Sequence, residues 1–124
     1  MSLELAVRHA LQNPIKSRGR TSISRFAAVL VNGYRTHVGF NSYKTHPMQA
    51  RFAKATGSPE KIHIHAEIAA MCKAMQHRFG PDLSDYKMYV ARVLADGTPA
   101  CACPCEGCMA AITEFGIKRV EWTE

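Results

Sequence analysis

The 124 residues suffice for one hydrophobic core but not for two, so residues 1–124 read as a single domain. A hydrophobic fraction of 47% with 21% charged residues excludes disordered and fibrous classes, and no apolar run approaches the ~20 residues of a membrane span. Sixteen Lys and Arg against ten Asp and Glu leave a net charge of +6, which favours anionic partners such as nucleotides or nucleic acid without choosing between them, and which also serves solubility.

Leu3, Ala6, Val7, Ala10 and Leu11 fall on one face of a helix, and Asn13-Pro14 ends it. Glu4 and Arg8 interrupt its apolar pattern, so neither a signal peptide nor a membrane anchor is expected and the expected location is cytoplasmic. A basic stretch with Lys16, Arg18, Gly19 and Arg20 leads into a strand, Phe26 to Val31. Asn32-Gly33 is a hairpin signal, and Tyr34 to Phe40 is the return strand. Asn41 to Glu60 has no clear periodicity, although Met48 to Ala55 fits a short helix. A connection of this length is uncommon in a compact domain unless it works at a site. Ala66 to Phe79 predicts a second long helix, stopped by Gly80-Pro81, and Tyr86 to Leu94 a strand with a turn at Asp96-Gly97. Pro104 to Phe115 predicts a third helix with Gly116 at its end, and Ile117 to Trp122 a last strand. Strands interleaved with helices imply a mixed sheet with helices packed on it, in the α/β class.

The five cysteines are an odd number, and Cys101, Cys103, Cys105 and Cys108 crowd into eight residues, a pattern that favours metal binding over a disulfide framework. Cys105 and Cys108, at i and i+3 on a helix start, lie on one side and can grip one ion. His65-Ala66-Glu67 opens the preceding helix. Residues two apart on a formed helix point ~200° apart, so His65 and Glu67 converge only if the helix end itself faces the ion. Ligation by His65, Cys105 and Cys108 leaves a fourth tetrahedral position for water, whose pKa zinc lowers to near 7. Glu67 then has the chemistry of a proton shuttle.

His65-Ala66-Glu67 followed by Pro104-Cys105-Glu106-Gly107-Cys108 resembles the signature of the zinc-dependent cytidine and deoxycytidylate deaminases. The resemblance extends over nearly the whole chain. It implies a three-layer α/β/α sandwich with a mixed sheet of four or five strands, a zinc ion, and hydrolytic deamination of a cytosine nucleotide or nucleoside, foremost deoxycytidylate to deoxyuridylate. Asn41, just after the second strand, matches the position whose side chain contacts sugar or base in that family. The backbone of Ala66 and of the segment before Cys105, Cys103 included, would hold the pyrimidine edge. The chain ends just past its fourth expected strand, so the fifth strand usual in the family is expected to be missing or replaced by a partner. With apolar Val120 and Trp122 on the last strand, a homo-oligomer is expected.

The polar run with Lys44, Thr45 and His46 suits a phosphate, Lys44 contacting it as a point charge with Arg51 and Lys54 adding positive field, and Tyr43 could instead stack on a base. Two other readings stay open. One is a deaminase of a base in single-stranded DNA or transfer RNA, which needs an electropositive groove several nucleotides long. The other is a non-catalytic module with a zinc knuckle built from Cys101, Cys103, Cys105 and Cys108, or from two of them with His63 and His65. It leaves Glu67 and Pro104 without a role.

Overall fold

The computed structural model describes residues 3–18, 23–33, 35–78 and 80–124. Gly19 and Arg20, assigned above to the basic stretch, Tyr34, to a strand start, and Phe79, to a helix end, lie outside them. The element order is α1 (Leu3–Leu11), β1 (Arg25–Asn32), β2 (Arg35–Phe40), α2 (Pro47–Ala55), α3 (Ala66–Arg78), β3 (Lys87–Val93), β4 (Pro99–Ala100), α4 (Glu106–Glu114) and β5 (Arg119–Trp122).

Residues 27–30 of β1 are buried on both faces, which explains their continuous apolar character. Ala28 and Leu30 join Met88 and Val90 of β3 beneath α3 and α4, while Ala27, Val29, Tyr89, Ala91 and Val93 face Ala6 and Ala10 of α1. The result is the expected three-layer α/β/α sandwich. Asn32 pairs with Arg35 across the tight hairpin, and Gly33 supplies the positive φ of 58° that such a turn requires.

The sheet runs β2-β1-β3, with β1 antiparallel to both neighbours. The other edge of β3 is shared end to end: β5 pairs in parallel from Lys87↔Arg119 to Val90↔Trp122, and β4 pairs antiparallel at Arg92↔Ala100 and Val93↔Pro99. Thr123 joins the two short strands. Its N–H donates to the Val90 carbonyl at 3.0 Å and its own carbonyl accepts from Ala102 N–H at 2.9 Å. Its hydroxyl donates to the Ala100 carbonyl at 2.6 Å and accepts from Arg92 N–H at 3.3 Å.

The short helix expected at Met48 to Ala55 is α2, one residue longer at its start: His46 caps it through Nδ1, which accepts from Met48 N–H at 3.1 Å, and Pro47 occupies its first turn. Helix α4 begins at Glu106 and not at Pro104, with Cys105 as its extended N-cap (φ −70°, ψ 170°). Val120 and Trp122 of β5 turn toward the α3–α4 core. No helix of the described residues is long and apolar enough to cross a membrane.

Gly39 of β2 sits under the first turns of α3. A Cβ there would meet the backbone of Ala66, Ala69 and Ala70 well inside contact distance. Only the missing side chain lets the end of α3 lie this close to the sheet. Gly39→Ala is expected to cost about 1–3 kcal/mol, the range for overpacking, read as a lower urea midpoint. An unchanged midpoint would show that α3 does not depend on this approach.

Candidate active site

The starts of α3 and α4 face each other beside β3. His65 stands immediately before α3, and Glu67 lies in its first turn. The helix end therefore presents both, as their spacing demanded. His65 is fixed from behind by Gln49 of α2, 1% exposed, whose Oε1 accepts from His65 N–H at 3.0 Å. Cys105 and Cys108 are the N-cap and third residue of α4.

His65 Nδ1 lies 3.5 Å from Cys105 Sγ and 3.3 Å from Cys108 Sγ, and the three donor atoms all fall within 4.8 Å of one another. A tetrahedral zinc with its usual ~2.0 Å nitrogen and ~2.3 Å sulfur bonds spaces such donors roughly 3.5 Å apart, so the residues fit that ion. Without a metal the three donors hold protons between them, which a bound ion would displace. Hydrogen bonding from Cys108, together with His65, pulls the Cys105 thiol down to about 3, whereas the Cys105 sulfur and burial push Cys108 upward. Hydrogen bonding to Cys105 holds the His65 imidazole above its ordinary value.

Glu67 is 4% exposed, and burial pushes its carboxyl up to about 7, with a hydrogen bond to Cys108 acting in the opposite direction. A carboxyl that titrates near neutrality can both accept and deliver a proton there. It opens on a cavity of about 290 Å³ with Ile23, Phe26 and Ile64 among its apolar walls.

Asn41, Ala66 and Cys103 line the same cavity, together with Ser42, Tyr43 and His63. Asn41 is also a structural staple. Its Oδ1 accepts from Phe26 N–H at 2.9 Å and from Asn13 Nδ2 at 2.7 Å, and its Nδ2 donates to the Ser24 carbonyl at 3.1 Å. Lys44, Thr45 and His46 are placed otherwise. Lys44 and His46 line a neighbouring groove, His46 is occupied as the α2 cap, and exposed Thr45 pairs through its backbone with His63. Arg51 is engaged with Glu114 at 2.7 Å. Cys101 is exposed and outside the metal cluster. Sequence reasoning missed Phe26 and Gln49, although a glutamine buried on an amphipathic helix is a readable sign of a polar partner.

The sequence profile of the cytidine and deoxycytidylate deaminase zinc-binding region matches residues 1–124. The chain belongs to this family. Among solved structures it is similar to a guanine deaminase from Bacillus subtilis, at 22% identity and a TM-score of 0.55 over 97% of this chain and 60% of that one. It thus spans 60% of the length of that protein, and the likeness is one of fold. No curated protein matches the chain in sequence. For a member of this deaminase family the cofactor is zinc, and the His65, Cys105 and Cys108 cluster accommodates it.

Proposed function

We propose that the protein hydrolyses the exocyclic amino group of cytosine in a nucleoside or nucleotide, with deoxycytidylate, converted to deoxyuridylate, as the simplest nucleotide substrate. The observation that carries this reading is the buried Glu67 carboxyl beside the His65, Cys105 and Cys108 cluster, on the wall of a cavity of about 290 Å³. When bound, zinc lowers the pKa of a coordinated water and so provides a nucleophile at neutral pH. Glu67 takes a proton from the attacking water and delivers it to the ring nitrogen. It then passes the second proton to the departing amino group, so that water and the aminopyrimidine become the oxo-pyrimidine and ammonia. Ile23, Phe26 and Ile64 exclude bulk water around the ring. The Ala66 amide at the open end of α3 and the backbone at Cys103 address the pyrimidine edge, and the second N–H of Asn41 Nδ2 is assigned to a sugar hydroxyl. All five cysteines are free thiols, which suits a reducing cytoplasm. Self-association remains part of the proposal and rests on the backbone edge of β5, since its apolar side chains face the core.

Ammonia release by the zinc-loaded protein is expected from deoxycytidine and deoxycytidylate and to be at least tenfold slower from the guanine and adenine nucleosides. Faster release from guanine would move the assignment to purines.

A further inference from the structure

Beside the catalytic cavity lies a larger groove of about 950 Å³, and the two share Asn41, Ser42, Tyr43 and Ile64 as lining. Lys16, Arg18, Lys44 and Lys73 line this groove, and no carboxylate does among the described residues. The ridge between the two spaces is built. Tyr43 donates its hydroxyl to the Lys16 carbonyl at 2.9 Å, Arg18 stacks its guanidinium 3.8 Å above the Tyr43 ring, and His63 Nδ1 bonds the Tyr43 carbonyl at 2.8 Å. Lys73 is anchored by donation to the Val38 carbonyl at 2.6 Å, which leaves its charge in place.

We infer that this groove holds the sugar-phosphate backbone of a single-stranded polynucleotide, one base of which enters the catalytic cavity. The inference rests on the deaminase reading above and extends its substrate from a free nucleotide to a residue within a strand. One monophosphate needs one anion subsite close to the base. Four cations along a space more than three times the volume of the cavity match successive phosphates. The Arg18–Tyr43 stack offers a flat guanidinium surface for a neighbouring unpaired base, a mode that suits single strands.

Binding of fluorescein-labelled twelve-residue oligothymidylate and oligouridylate to the zinc-loaded protein tests the groove, because neither base carries an exocyclic amine. Four phosphate contacts at about 0.7 each predict a slope of log K against log salt near −2.8, falling to about −1.4 in Lys16→Gln/Lys44→Gln. Lys87→Gln/Lys118→Gln, equal in charge but outside the groove, should keep the parent slope. A slope near zero, or one that the two pairs change equally, overturns the inference. Turnover supplies the second arm: a twelve-residue strand with one central cytosine should exceed deoxycytidylate in kcat/KM by at least tenfold. Equal values overturn the strand as substrate while leaving the deaminase reading intact. Salt-dependent binding as expected, with no turnover of any cytosine substrate, upholds the groove and overturns the deaminase reading.

Discussion

Glu67→Gln is expected to lower kcat by about 10²–10⁴-fold while zinc content stays at the wild-type level. The replacement keeps the size of a side chain that is 4% exposed, so packing at the start of α3 is preserved. The amide can neither accept the proton of the attacking water nor deliver it to the leaving group. Metal analysis and steady-state kinetics on one preparation separate the two effects. A kcat within threefold of wild type would remove Glu67 from the reaction, and loss of zinc would make it a structural support. The same variant distinguishes an enzyme from a zinc-stabilised module, which has no turnover to lose.

Cys105→Ser is expected to abolish stoichiometric zinc binding and to lower Tm by on the order of 15 °C. The figure follows from about 4 kcal/mol of stabilisation by a ligand present at a thousandfold its Kd, spread over the unfolding entropy of a domain this size. Cys101→Ser, outside the cluster, should keep its zinc and its Tm. If instead both variants lost metal equally, the cysteines would form a closed knuckle and the open catalytic position would be gone.

The chemistry was legible in the sequence because its residues are local. His65 and Glu67 lie two apart and Cys105 and Cys108 three apart, so each half is fixed by the start of one helix. Asn32-Gly33 announced its hairpin for the same reason. The cavity wall was less legible, because it is assembled by contacts between distant residues. Asn41 meets Asn13, 28 positions away, and the pairing turns a residue expected to serve substrate into one that also holds α1 to the start of β1. Gln49 reaches His65 from α2, a short helix whose periodicity was weak and whose cap, His46, read instead as a phosphate contact. Lys44 and His46 read as one phosphate loop, yet the cap at His46 turns the chain so that both line the groove and neither lines the cavity. Strand β4, two residues long, carries no pattern of its own and exists only because β3 and Thr123 pair with it.

Thr123 has a consequence for how the cysteine segment opens. The amides of Arg92, Ala102 and Thr123 are all closed by bonds that one residue makes or receives. Each of the three bonds has one end on Thr123, so release of that residue frees all three amides at once. Their hydrogen-exchange rates should therefore follow one another, and should follow the central amides of β3 more nearly than those of the Asp96-Gly97 turn. Residues 100–102, which look like a loop in sequence, are tied to the sheet through Arg92 and Thr123. The segment that leads to Cys105 is thus moored to the central strand three residues before the thiol.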